Sequence, residues 1–141
     1  MIEFEVDGVV RPSLDFRRVE RWIAAVAAVY DKMPARISYC FCSDEIILKA
    51  NREFLSHDYF TDVITFDYSR NDRISGDILI SLDTVADNAK LAGDNYVREL
   101  LRVIIHGVLH LCGIDDKGPG EREIMEREEN RALRLYDEME L

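Results

Sequence analysis

Apolar side chains recur at two alternating spacings up to residue 81, and at a single spacing after it. The stretch IEFEV (2–6) alternates apolar and acidic residues, as a half-buried strand does. From residue 13 to 30 the spacing becomes helical. Leu14, Val19, Trp22, Ile23, Val26, Val29 and Tyr30 fall on one stripe, with arginines opposite and Ser13 in place to cap the start. ARISYCFC (35–42) has the β-branched and aromatic content of a strand, and SDEIILKANREFL (43–55) opens on a capping serine and reads as a short helix. VITFDY (63–68) and SGDILIS (75–81) flank the polar RNDR, which predicts a β-hairpin. Thr61 and Asp62 would close the turn into its first strand, while Gly76 and Asp77 would set a bulge or an edge feature.

Beyond residue 82 only helical spacing remains, over 83–92, 96–112 and 119–138, with AGDN and GIDDKGPG as breaks. The order β-α-β-α-β-β-α-α-α predicts an α+β fold. Its expected form is a four-stranded mixed sheet with a β-hairpin, packed against about five helices. VRELLRVIIHGVLHLC (97–112) is apolar on nearly all sides from Val103 onward, so it should be the central buried helix. With 141 residues and no repeat, linker or low-complexity stretch, the chain should form a single domain, 1–141.

The charge balance narrows the partners. Net charge is −10, which opposes nonspecific attraction to a phosphate backbone. Eight acidic residues from Glu121 onward explain much of it and read as a solvated helix face, whereas any basic surface would come from Arg17, Arg18, Arg21, Lys49 and Arg52. The N-terminal MIEFEVDG lacks the basic and apolar regions of a secretory signal, and no apolar stretch approaches the roughly 20 residues of a membrane span. The expected location is cytoplasmic, with no membrane partner. Cys40, Cys42 and Cys112 sit in apolar patterns, are odd in number, and read as small core residues rather than a disulfide framework.

The candidate chemistry lies in HGVLHLCGIDDKG (106–118). His106 and His110 are four residues apart and so share a helical face; Gly113 stands where a helix end favours a left-handed residue. The reversal there would return Asp116 to the two imidazoles, with Asp115 as a substitute. Three protein ligands and an open position are the pattern of a catalytic zinc site, here holding one zinc ion; the competing reading is a pair of core histidines. A zinc-protease HExxH would need a glutamate after the first histidine, and Gly107 stands there.

Taken with TDVITF and SGDILIS, HGVLHLCG resembles the YbeY family of bacterial single-strand-specific endoribonucleases, most densely from Asn51 to Asp116. The resemblance implies a metal-dependent, usually zinc-binding enzyme. It would act in 3′-end maturation of small-subunit ribosomal RNA and in ribosome quality control, with single-stranded RNA as substrate and a small-subunit ribosomal protein as a further partner. The chain departs from the family pattern twice. Asp116 replaces a third histidine, and Leu55 stands where the family carries an arginine six residues before the threonine of TDV. Arg52, one helical turn earlier, is the candidate cation for a phosphodiester transition state, against an ordinary surface arginine. His57 is the candidate acid or base, against a loop histidine with no role. Two other readings stand beside the nuclease. One is a non-catalytic ribosome-associated module with a structural metal, favoured if no basic surface surrounds the open position. The other is a small-molecule metallohydrolase, favoured by a narrow enclosed pocket.

Overall fold

The fold is taken from a computed structural model, which describes residues 1–56 and 61–139. Among these residues the elements run β1 (Ile2–Asp7), α1 (Phe16–Val29), β2 (Met33–Cys42), α2 (Asp44–Phe54), β3 (Val63–Asp67), β4 (Arg73–Ser81), α3 (Leu82–Ala92), α4 (Tyr96–Leu111) and α5 (Glu121–Glu138). The sheet order is β1-β2-β4-β3. β1 and β4 each run parallel to β2, and β3 pairs antiparallel with β4 as a hairpin, so the sheet is mixed as expected.

Strand periodicity sorts the side chains onto two faces. Ile37, Tyr39 and Phe41 of β2, with Ile74, Ile78 and Ile80 of β4, face the main core, which α1, α4 and α5 cover. Cys40, Cys42, Leu79, Ile64 and Phe66 point the other way and meet Ile46, Ile47 and Ala50 of α2. Two buried polar tips tie the main layer together. The Tyr39 hydroxyl donates to the Ile104 carbonyl at 2.8 Å, joining β2 to α4, and Trp22 Nε1 donates to the Ala132 carbonyl at 2.7 Å, joining α1 to α5. Each bond satisfies a group that would otherwise be costly to bury.

Four details differ from expectation. α1 starts at Phe16, because Asp15 rather than Ser13 accepts from the Arg18 amide at 3.2 Å. α5 begins at Glu121 after Gly120, which has φ 78° and gives no side-chain cap. β4 is an inner strand. The irregularity lies on β2 between Pro34 and Ile37, so Gly76 and Asp77 make neither a bulge nor an edge. Gly76 serves a close approach instead: a Cβ there would stand 2.5 Å from the Phe66 carbonyl oxygen and 2.9 Å from Leu111 Cδ2. Lastly, Cys42 is fully buried, while Cys40 and Cys112 are half-buried at the margins of the two clusters. Burial pushes the Cys112 thiol up to about 11.

The C-terminal acidic stretch is only partly a solvated face. Glu128 is 9% exposed and Glu129 8% exposed. Glu128 accepts from the Tyr30 hydroxyl at 2.6 Å and from Arg127 Nε at 3.3 Å. The Tyr30 bond, foremost, holds the Glu128 carboxyl below its ordinary value.

Two expectations follow. Gly76→Ala forces β3 and α4 away from β4 and destabilises the fold by about 2 kcal/mol or more, measured by urea unfolding. A carboxylate with a depressed folded pKa contributes stability that is present above its unfolded pKa and lost as pH falls through the folded one. Glu128→Gln therefore costs on the order of 1 kcal/mol near neutral pH. Its deficit against wild type narrows on acidification below about pH 4, as urea melts at neutral and acid pH will show.

Candidate metal centre

α4 begins where the Asn95 side chain accepts from the Arg98 amide at 3.2 Å, and from Leu100 to Leu111 it is buried except at three positions. Those positions are Arg102, His106 and His110, each four residues from the next. With Glu99 one turn earlier, they form the single polar stripe of a helix otherwise enclosed by apolar neighbours.

The stripe ends in a reversal of the Schellman type. The Gly113 amide donates to the His110 carbonyl at 2.9 Å and the Ile114 amide to the Leu109 carbonyl at 3.0 Å. Gly113 takes φ 97°, which a side chain would resist. Ile114 packs against the main core, and the chain doubles back. Asp116 returns to the stripe, with Oδ2 3.3 Å from His106 Nε2 and Oδ1 3.6 Å from His110 Nε2. Asp115 is exposed and outside the cluster.

The two imidazoles stand nearly perpendicular, at 84° with ring centroids 4.6 Å apart. One ligand atom from each of His106, His110 and Asp116 lies within 4.8 Å of the others. Among the described residues, Asp116 Oδ1 is buried without a hydrogen-bond partner, which leaves it an unmet acceptor. Two imidazole nitrogens and a carboxylate oxygen converging on one point, with an unmet lone pair among them, suit a divalent cation of zinc type. The three side chains are 18%, 25% and 26% exposed, so the cluster opens at the surface rather than in an enclosed cavity.

Behind the cluster lies Glu129 of α5. Its Oε2 is 2.6 Å from His106 Nδ1, and its Oε1 accepts from Arg102 Nη1 at 3.0 Å. Arg102 Nη2 donates to Asn130 Oδ1 at 2.8 Å. The histidines respond in opposite directions. For His106, burial disfavours the charged form, yet the Glu129 hydrogen bond and the charges of Glu129, Asp116 and Asp62 outweigh it and raise the pKa. His110 is lowered, by burial first and then by His106. Asp62, at the entry to β3, is raised by burial although His106 opposes the shift, and Glu99 is raised by burial with its Oε2 buried and unpartnered. The surroundings are thus mainly carboxylate, and among the described residues Arg102 is the cation bonded into them.

Of the residues singled out from the sequence, His106, His110 and Asp116 come together. Arg52 is exposed in the last turn of α2, across the sheet from α4. Leu55, also exposed, is the C-cap of that helix. His57 lies outside the described residues. The expected basic surface does not form as one patch, because α1 and α2 cover opposite faces of the sheet. Arg18 donates to the Tyr136 carbonyl at 2.6 Å and stacks on its ring, while Lys49 pairs with Glu53. Gly107 points into the sheet, where a Cβ would stand 2.8 Å from Ile78 Cδ1; a protease-type glutamate has no room there. Sequence reasoning missed Glu129 and Arg102. The available signal was that Glu129 falls within the stripe of Met125, Ala132, Leu133 and Tyr136, where a carboxylate cannot be fully solvated.

The comparisons with known proteins bear on what this cluster serves. Residues 10–137 match the profile of a family described as Endoribonuclease YbeY. A relative of that name from Phocaeicola vulgatus is 58% identical, over 96% of this chain and 98% of its own length. One from Bacteroides thetaiotaomicron is 57% identical over 95% and 98%. Among solved structures, the solution structure of a Thermotoga maritima protein matches with a TM-score of 0.70 and 25% identity, covering 96% of this chain and 89% of that one. With the family profile and these near full-length relatives in agreement, the chain belongs to the YbeY endoribonuclease family.

Proposed function

We propose that the protein is a metal-dependent, single-strand-specific endoribonuclease of the cytoplasm, acting in 3′-end maturation of small-subunit ribosomal RNA and in ribosome quality control. Family membership supports RNA as the substrate and hydrolytic cleavage as the activity. The observation that carries the metal dependence is the convergence of His106, His110 and Asp116 around the unmet Asp116 Oδ1. One zinc ion held by these residues would supply Lewis acidity at the scissile phosphate. His110, whose charged form is disfavoured, keeps a lone pair available, and the exposure of all three side chains leaves a side open to RNA. Unpaired RNA is the natural substrate, since its bases and backbone are free to bend into a surface cleft. Arg52, exposed in the last turn of α2, is proposed as a cation that meets the RNA backbone from the α2 side of the sheet, and His57 as the proton carrier, with a small-subunit ribosomal protein as a further partner.

The carboxylates around the cluster favour a second reading, a ribosome-associated module whose metal is structural, because Asp62, Glu99 and Glu129 would repel an RNA backbone. A bound dication changes that local balance, so the two readings separate by experiment.

The protein should contain about one zinc per chain by elemental analysis and cleave single-stranded RNA. His110→Ala combined with Asp116→Ala should lose both. Zinc binding without cleavage by the wild type favours the structural-metal module. Arg52→Met should lower kcat/KM for single-stranded RNA by about 10-fold, chiefly through KM, while leaving zinc content unchanged, the sign of a group that holds the RNA and not the ion.

A further inference from the structure

We propose that Glu129 and Arg102 are positioning residues for the metal centre, with α5 supplying the group that fixes which nitrogen of His106 faces the ion. The inference rests on reading His106, His110 and Asp116 as the ligands.

His106 lies between two carboxylates. Glu129 Oε2 is 2.6 Å from Nδ1, and Asp116 Oδ2 is 3.3 Å from Nε2. A neutral imidazole carries one proton, and the two acceptors compete for it. A proton on Nε2 would point at Asp116 and block ligation; a proton on Nδ1 leaves the Nε2 lone pair aimed into the cluster. The shorter contact is at Nδ1, so Glu129 selects the ligating form and holds the ring plane.

A glutamate 8% exposed cannot keep its place without a counter-charge. Arg102 supplies it from one helical turn below His106, through Nη1 at 3.0 Å, and its second amine is anchored on Asn130 at 2.8 Å. The guanidinium therefore sits on the Nδ1 side of the imidazole, behind the ligand set. It acts through Glu129, the carboxylate to which it is bonded. In this arrangement two residues of α5, Glu129 and Asn130, and two of α4 form a single chain of contacts ending at Nε2.

The test uses the full chain. Zinc affinity is measured by competition with a chromophoric chelator for wild type, Glu129→Gln, Arg102→Met and Arg102→Lys, beside thermal melts of each metal-free protein. Glu129→Gln and Arg102→Met are expected to weaken zinc binding by about 10- to 100-fold, with part of the loss recovered in Arg102→Lys. Long-range proton–nitrogen spectra of metal-free wild type, recorded at alkaline pH where the ring is neutral, should show His106 protonated at Nδ1, shifting toward Nε2 in Glu129→Gln. Folded variants that bind zinc within about twofold of wild type would overturn the proposal and leave the pair a purely structural contact. A neutral wild-type ring protonated at Nε2 would overturn it too. If Glu129→Gln does not fold, the Arg102 pair decides the matter. A wild type that binds no zinc defeats the ligand reading itself, whereas normal wild-type binding with unaffected variants defeats only the positioning role.

Discussion

How closely α4 can approach β4 sets the terms for everything above the sheet. A glycine on each partner makes room for the other's side chain: Gly107 of the helix accepts Ile78, and Gly76 of the strand accepts Leu111. At this separation the interface is tightly packed, and the Tyr39 hydroxyl reaches across to the Ile104 carbonyl within it. The helix is consequently apolar on every side except one narrow stripe. Any chemistry on α4 has to lie along that stripe, and helical geometry places Arg102, His106 and His110 there in register.

The same constraint explains the electrostatics. Groups on the stripe are half-buried, so each feels its neighbours in a weakly screening environment. One histidine is drawn toward its charged form by Glu129 and the other is pushed away from it by burial and by the first. Among the described residues, the carboxylates of Asp62, Glu99, Asp116 and Glu129 leave the region electron-rich, with Asp116 Oδ1 lacking a hydrogen bond. This is a poor resting place for a phosphate and a good one for a dication, and in such a site the sign of the local field is decided by whether the ion is bound.

Much of this was legible in the residues. Spacing, β-branched content and turn residues together located the nine elements of the described residues, and His106, Gly113 and Asp116 could be joined because a helix face and its C-terminal turn are local geometry. What escaped was nonlocal. Nothing within α5 says which neighbour its acidic residues meet, so Glu129 looked solvated until α4 was laid beside it. The supposed basic surface failed for the same reason, since a list of arginines carries no information about which face of the sheet each helix covers. Ser13 lost the cap to Asp15 through a two-residue difference that composition alone cannot settle.

The contact between Glu129 and His106 joins residues 23 positions apart in the chain, on consecutive helices separated by a glycine-containing turn. Closing so short a loop costs little chain entropy, so α5 docks on α4 as a local event. The packing of the last helix of the described fold and the orientation of the His106 ring are therefore coupled: whatever loosens α5 loosens the imidazole as well.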